Sequence, residues 1–189
     1  MIKKKLRIGF DLDGVILYNP LRNIRPIIYN LKKNFWQQKI THFYIPQKKT
    51  EQMLWKLLHK SSIFIAPGFS QIEQMTKKKE LEIYLITARY SFLKNDLEKW
   101  LKKINLHNVF KEIHYNKNNQ QPHLYKEEKI KKLNLDIFVE DNYDIVHHLN
   151  QQTTSTKIWW ISNLCDQKIN YKFKFKNLKE VAKKIEKLN

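Results

Sequence analysis

The stretch that decides the fold is RIGFDLDGVIL, residues 7–17, where an apolar run ends in two aspartates one residue apart. The run has the composition of a buried strand, and Gly14 directly follows the second aspartate. A buried strand gains nothing from two like charges at its end, because both must lose water and they repel each other. Asp11 and Asp13 therefore indicate a working site at the end of this strand.

The remaining chain alternates short apolar segments with segments of helical spacing, which is typical of a parallel sheet covered by helices on both faces. The predicted strands cover residues 6–10, 82–86, 112–115, 136–139 and 157–161. The predicted helices cover residues 69–79, 91–104, 127–134, 143–151 and 178–188. We therefore expect an α/β fold with a parallel sheet of about five strands.

One long segment interrupts this alternation between the first and second predicted strands. Residues 19–65 contain two stretches of helical spacing, IRPIIYNLKKNFW and EQMLWKLLHK, and Thr50 is the predicted N-cap of the second. Because a βα crossover needs far less chain, we expect a helical cap that covers the carboxyl ends of the strands. The predicted organisation is a core of residues 1–18 and 66–189 with residues 19–65 as an insertion.

Polar residues collect where the predicted strands end, which is where ligands bind to open parallel sheets. The residues that share this placement are Asp11, Asp13, Thr87 in LITAR, and Glu140 and Asp141 in VEDN. Lys126 is predicted just before the helix that leads into the fourth strand. The topology predicts that these side chains meet at one edge of the sheet.

Phosphoryl transfer with a hard metal is the chemistry that uses such a set. Clustered carboxylates repel unless a cation lies among them, and Mg²⁺ binds carboxylates together with substrate phosphate. One aspartate can then attack phosphorus while its neighbour handles the proton of the leaving oxygen. Thr87 and Lys126 are placed to hold the phosphoryl oxygens.

The motifs DLDGV, LITAR, YKEEKIKKLNLD and VEDN occur in this order and resemble the four motifs of the haloacid dehalogenase-like hydrolases. The resemblance implies a Rossmann-like core and an aspartyl-phosphate mechanism, with Asp11 as nucleophile and Asp13 as general acid and then base. It also implies that Asp11, Asp141 and the backbone carbonyl of Asp13 bind Mg²⁺. Thr87, Ala88 and Lys126 are the predicted phosphate-binding residues.

Within that family, the chain is most similar to the 5'-nucleotidase-like branch, which includes the cytosolic deoxyribonucleotidases. The resemblance thus implies a phosphomonoesterase acting on nucleoside monophosphates or similar small organic phosphates. Glu140 departs from the paired aspartates of many relatives, so its role stays open. Arg89 could reach substrate or pair with an acidic neighbour, and Asp144 could support the metal or serve as an N-cap.

The charge of the chain leaves other functions open. Lys and Arg number 36 against 18 Asp and Glu, a formal charge of +18, which favours nucleic-acid partners. The lysines are scattered, however, so a phosphatase of nucleic-acid ends and a non-catalytic nucleic-acid-binding protein are the less favoured alternatives. Five aromatic residues of the insertion could stack on a base or simply form its core: Phe35, Trp36, Phe43, Tyr44 and Trp55.

The single cysteine, Cys165, excludes an internal disulfide and favours a reducing, cytoplasmic environment. No window approaches the roughly 18 apolar residues of a membrane span, so we expect no membrane partner. A dehalogenase is disfavoured, because attack on carbon leaves no alkoxide for Asp13 to protonate. The sequence predicts no particular oligomeric state.

Overall fold

The structure, a computed structural model, describes residues 5–18, 43–60, 64–163 and 166–188. Its centre is a six-stranded parallel sheet with the strand order β5-β4-β1-β6-β7-β8, and β2 and β3 form a separate antiparallel ribbon. The strands are β1 Leu6–Phe10, β2 Leu17–Tyr18, β3 Phe64–Ile65, β4 Leu81–Tyr90, β5 Glu112–Asn116, β6 Ile137–Glu140, β7 Lys157–Ile161 and β8 Lys174–Phe175.

Six α-helices lie in the described residues, and five of them cover the two faces of the sheet. They are α1 Lys49–Lys60, α2 Phe69–Lys77, α3 Lys94–Lys103, α4 Pro122–Lys132, α5 Tyr143–Gln152 and α6 Leu178–Glu186. A 3₁₀ turn over Ser91–Leu93 precedes α3. Among these helices, none is long and apolar enough to cross a bilayer.

The central strands are buried on both faces, which explains why their sequences read as continuous apolar runs. Along β4, Ile83 and Leu85 enter one core cluster, whereas Tyr84 and Ile86 enter the other. Helices α2, α3 and α6 cover the first cluster, and α4 and α5 cover the second. The period of two in each strand thus builds a three-layered sandwich of helices, sheet and helices.

The structure confirms the α/β class and all five predicted strands, and it adds a sixth. Strand β8 has only two residues, too few to show a period in the sequence. Helix α4 begins at Pro122, earlier than predicted, because proline suits the first turn of a helix. The prediction that Lys126 precedes the helix is therefore wrong, since Lys126 lies within α4.

Only part of the insertion lies in the described residues, and Cys165, Phe35, Trp36 and the first predicted helix of the insertion lie outside them. The second predicted helix is present as α1, but it begins at Lys49, so the prediction of Thr50 as N-cap is wrong. Glu51 instead accepts hydrogen bonds from the backbone N–H groups of Gln47 and Lys48. Residues 64–65, at the end of the predicted helical insertion, form β3.

The chain returns to the core at a turn that requires glycine. Gly68 precedes α2 with a φ of 103°, in the left-handed region that side chains disfavour. A Cβ at this position would lie 2.5 Å from Cα and 2.7 Å from the backbone N of Lys179 in α6. Helix α6 therefore packs directly against the backbone of this turn.

Replacing Gly68 with alanine should strongly destabilise the protein, because the new methyl group meets backbone and the left-handed φ costs about 1–2 kcal/mol by itself. We expect a loss of at least about 2 kcal/mol in the free energy of unfolding, measured by urea denaturation. Ser70→Ala, at an exposed position two residues further along, is the matched control and should change it by less than about 0.5 kcal/mol. Equal midpoints for the two variants would contradict this packing.

Candidate active site

The acidic residues predicted from the sequence meet at the carboxyl ends of β1 and β6, two neighbouring strands in the middle of the sheet. The backbone N–H of Asp11 donates to the carbonyl of Val139 over 3.0 Å, which extends the pairing of the two strands by one residue. Glu140 ends β6, and Asp141 follows it. All three acidic side chains are at least nine-tenths buried.

A tight turn after β1 holds the second aspartate next to this pair of strand ends. Leu12 accepts hydrogen bonds from the backbone N–H groups of Ile16 and Leu17, and Gly14 adopts a φ of 91°. A Cβ on Gly14 would lie 2.6 Å from Cγ of Asp141. Glycine is therefore required here both for the backbone conformation and for the close approach of the turn to Asp141.

Lys126 from α4 enters the acidic group as its buried counter-charge. Its Nζ lies 3.0 Å from Oδ1 of Asp11 and 2.6 Å from Oε2 of Glu140, and its side chain is 2% exposed. The other carboxylate oxygen of Glu140, Oε1, accepts a hydrogen bond of 3.0 Å from the backbone N–H of Asn142. Glu140 therefore contacts both the Lys126 ammonium group and the backbone at the start of the next segment.

The electrostatics of this group follow from burial. The pKa of Asp11 is raised to about 8, chiefly because its carboxyl group is buried; Lys126 opposes the rise, and the neighbouring carboxylates add to it. Burial also raises the pKa of Glu140. Burial by itself would lower the pKa of Lys126, but the attraction of Asp11 and Glu140 outweighs it, so that pKa is raised.

Three carboxylates in this group offer oxygen atoms close enough to share one cation. Ligand oxygens of Asp11, Glu140 and Asp141 all lie within 4.8 Å of one another. Oxygen donors are those that Mg²⁺ prefers, and one lysine cannot balance three buried carboxylates, so this donor set fits a divalent hard metal. The side chain of Asp13, which the sequence places beside them, lies outside this set.

Asp13 has a partner of its own. Arg89 donates from Nε to Oδ2 of Asp13 over 2.8 Å and from its terminal nitrogen to Oδ1 over 2.7 Å. Both side chains are largely buried, at 5% and 13% exposure. Of the two alternatives for Arg89, the structure shows pairing with an acidic neighbour, in the two-pronged geometry that fixes a carboxylate most firmly.

The remaining predicted residues lie on β4 and in the first turn of α5. Thr87 is buried on β4, where its Oγ1 accepts a hydrogen bond of 3.3 Å from the backbone N–H of Arg89, and Ala88 between them is half-buried. The N-cap of α5 is Asn142, whose side chain accepts from the backbone N–H of Asp144. Asp144 lies in the first turn of α5, so its prediction as the N-cap is wrong.

Helix α1 reaches the same edge of the sheet, where the sequence predicts a helical cap, but the sequence did not single out His59. His59 near its end places Nε2 4.0 Å from Oδ2 of Asp13. The segment before the helix is held by hydrogen bonds to the core. The backbone N–H of Phe43 donates to Oε1 of Gln121, and Nε2 of Gln121 donates to the Phe43 carbonyl. The hydroxyl of Tyr90 donates to the carbonyl of Tyr44. The only sequence signal for His59 is its spacing of four residues from Trp55.

Comparison with known proteins extends these observations to the whole fold. No family model matches this chain. No curated protein matches it either. Among solved structures, it is similar to a haloacid dehalogenase-superfamily hydrolase from Ehrlichia chaffeensis, with 14% identity, a TM-score of 0.56, and coverage of 100% of this chain and 99% of the other.

Two further structures show the same likeness. The hydrolase YfnB from Bacillus subtilis, solved with bound magnesium, has 12% identity and a TM-score of 0.59, covering 97% of this chain and 100% of its own. CbbY from Rhodobacter sphaeroides, in complex with phosphate, has 9% identity and a TM-score of 0.55, covering 94% and 96%. The chain therefore has the fold of the haloacid dehalogenase-superfamily hydrolases.

Proposed function

We propose that the protein is a Mg²⁺-dependent phosphomonoesterase that works through an aspartyl-phosphate intermediate. The observation that carries this proposal is the buried set of Asp11, Lys126, Glu140 and Asp141 beside the Asp13–Arg89 pair. A purely structural edge of a sheet has no reason to bury so many charges. The fold shared with YfnB and CbbY supports the same reaction class.

The metal would be held by the side chains of Asp11 and Asp141 and by the backbone carbonyl of Asp13. When bound, Mg²⁺ supplies positive charge that favours ionised Asp11 and neutralises the phosphoryl oxygens. YfnB, which shares this fold, was solved with bound magnesium. Trp160 supports the position of Asp141, since its Nε1 donates to the Asp141 carbonyl over 3.1 Å.

The first half of the reaction transfers the phosphoryl group to the protein. A carboxylate oxygen of Asp11 attacks phosphorus, the bond from phosphorus to the leaving oxygen breaks, and Asp13 gives that oxygen a proton. Lys126, whose ammonium already contacts Asp11 at 3.0 Å, stabilises the phosphoryl oxygens together with Thr87. The products of this half are an alcohol and the aspartyl-phosphate.

The second half restores the protein. Asp13, now ionised, takes a proton from water as the water oxygen attacks phosphorus, and the bond to the Asp11 oxygen breaks. Inorganic phosphate leaves, and Asp13 carries the proton needed for the next cycle. Arg89 holds the Asp13 carboxylate in one orientation for both transfers.

Nucleoside monophosphates or similar small organic phosphates are the proposed substrates, and residues 19–65 are the proposed cap over a core of residues 1–18 and 66–189. Helix α1 lies beside Asp13. The ring of Trp55 on this helix lies 6.4 Å from the ring of Tyr44 on the segment before it. Aromatic faces at this place suit a base or sugar, whereas a helix over the site restricts larger substrates.

The charge of the chain is the observation that favours a phosphatase of nucleic-acid ends. Many described lysines, however, serve internal contacts rather than a basic groove. Lys174 donates to the carbonyls of Asp166, Gln167 and Ile169, and Lys126 is buried. Lys77, Lys111 and Lys131 each pair with a carboxylate. We therefore rank this activity second.

Asp11→Asn should abolish turnover while preserving the fold, because the amide cannot form the acyl-phosphate. Asp13→Asn should slow turnover by roughly 10² to 10⁴, most for poor leaving groups, as expected for lost acid–base catalysis. Phosphate release from a series of aryl and alkyl phosphates tests both, with circular dichroism as the measure of folding. Glu98→Gln on α3, an exposed carboxylate, is the control. Substantial activity in Asp11→Asn would sink the mechanism.

Mg²⁺ should raise the thermal unfolding midpoint, since it binds only the folded site. At a concentration about a hundredfold above the dissociation constant, the stabilisation is about 2.7 kcal/mol, which corresponds to roughly 5–10 °C for a chain of this size. Asp141→Ala should lose the shift and the Mg²⁺-dependent activity together, whereas Glu98→Gln should keep both. Calorimetry in chelator and in Mg²⁺ measures the difference, and an unresponsive wild-type protein would contradict the metal assignment.

Nucleoside monophosphates should be better substrates than 5'- or 3'-phosphorylated oligonucleotides, and their hydrolysis should depend only modestly on salt. Scattered lysines give weak attraction to a phosphate backbone, and affinity of that kind falls steeply with ionic strength. The measurement is kcat/KM for both substrate classes at low and at physiological salt. If oligonucleotides are preferred at both salt concentrations, a phosphatase of nucleic-acid ends replaces the nucleoside monophosphatase as the proposed function.

A further inference from the structure

The peptide group between Asp141 and Asn142 is held at both of its polar ends. Its N–H, which belongs to Asn142, donates to Oε1 of Glu140 over 3.0 Å. Its carbonyl, which belongs to Asp141, accepts from Nε1 of Trp160 over 3.1 Å. Because a peptide group is planar, two bonds at its opposite ends fix the rotation of the whole plane. The backbone directly after Asp141 therefore has one orientation.

The two bonds come from neighbouring strands. Glu140 ends β6, Trp160 lies on β7, and the two residues are partners in the parallel register of these strands. Glu140 also contacts Nζ of Lys126 over 2.6 Å, which ties its end of the peptide group to the charged side chains of the site. Trp160 carries no charge, so it supports Asp141 from outside the ionic contacts.

The indole ring of Trp160 is fully buried and is held on several sides. Its centroid lies 4.6 Å from that of Tyr143, and the ring of Tyr171 packs edge-on at 6.1 Å. Nζ of Lys174 lies 5.2 Å from the indole centroid, and this ammonium group also donates to three carbonyls within residues 166–169. The position of the indole N–H is therefore set by close packing in the core.

The side chain of Asp141 has little room to compensate for a rotated backbone. A Cβ on Gly14 would lie 2.6 Å from Cγ of Asp141, so the turn after β1 packs closely against this carboxylate. Ligand oxygens of Asp11, Glu140 and Asp141 lie within 4.8 Å of one another. A small rotation of the backbone at Asp141 would change these separations, on which the binding of a shared cation depends.

We propose that Trp160 is a positioning residue that sets the affinity of the acidic site for Mg²⁺ through the carbonyl of Asp141. The proposal rests on the proposed function, in which Asp141 is a metal ligand. Replacing a residue that hydrogen-bonds behind a metal ligand lowers metal affinity or activity by roughly 10- to 100-fold in other proteins. Since Trp160 acts through Asp141, its loss should weaken metal binding more than it slows turnover at saturating Mg²⁺.

The adjacent residue of β7 provides a matched control. Trp159 is as deeply buried as Trp160, but it lies in the other core cluster. Its Nε1 has no hydrogen-bond partner within the part of the chain that the structure describes. Replacing either tryptophan with phenylalanine removes the same atoms from a packed core. Only Trp160→Phe also removes a donor from Asp141, so the difference between the variants reports this hydrogen bond.

The measurement is the Mg²⁺ dissociation constant of the folded protein, obtained from backbone amide NMR signals in a titration without substrate. Trp160→Phe should raise this constant by about tenfold or more, whereas Trp159→Phe should keep it within about twofold of wild type. At saturating Mg²⁺, kcat of Trp160→Phe should recover to that of Trp159→Phe. An unchanged dissociation constant in Trp160→Phe would overturn the positioning role, and the phosphatase would still stand.

A second measurement uses the wild-type protein, so it holds even if Trp160→Phe does not fold. The indole N–H signal of Trp160 should move when Mg²⁺ is added, because its acceptor belongs to a metal ligand, and that of Trp159 should stay. Phenylalanine replacements at the other tryptophans, one at a time, assign the signals. A stationary Trp160 signal while backbone amides respond would also overturn the role. If no wild-type signal responds to Mg²⁺, the metal assignment of the proposed function is wrong, and this role is wrong with it.

Discussion

The buried ammonium group of Lys126 is the interaction on which this edge of the structure depends. It contacts Asp11 after β1 and Glu140 at the end of β6, at 3.0 and 2.6 Å, and thereby ties α4 to two strands. Taking these charges out of water costs several kcal/mol per ion, which close pairing offsets only in part. The fold therefore holds together carboxylates that would separate without their common partner, and it does so where a parallel sheet binds ligands.

The two aspartates of one motif acquire different environments from this arrangement. Asp11 shares one lysine with another carboxylate, and burial raises its pKa to about 8. Asp13 has an arginine to itself, through two short hydrogen bonds. Groups in adjacent positions can perform different steps when their surroundings differ in this way, as acid–base pairs in other enzymes do. The surroundings of Asp11 make its ionisation depend on nearby positive charge, whereas Arg89 holds the Asp13 carboxylate in one orientation.

The sequence predicted what depends on local pattern and failed where distant contacts decide. Short apolar runs between segments of helical spacing located the five main strands, and charged residues at strand ends located Asp11 and Asp141. The start of α4 was predicted too late, and the pairing of Arg89 with Asp13 was one of two alternatives, because they lie 76 residues apart in the chain. The proximity of His59 to Asp13 was not predicted, because the two residues lie far apart in the sequence.

The division of these residues between sheet edge and insertion has a mechanistic consequence. The charged groups assigned to phosphoryl transfer come from the ends of β1 and β6, from the turn after β1, and from α4. Helix α1 approaches Asp13 from outside this group, and its place depends on contacts such as that between Gln121 and Phe43. A helix that moved away would leave the nucleophile and its lysine in place. The proposed phosphoryl transfer thus depends on the core, whereas the substrate contacts proposed for α1 depend on a separate segment.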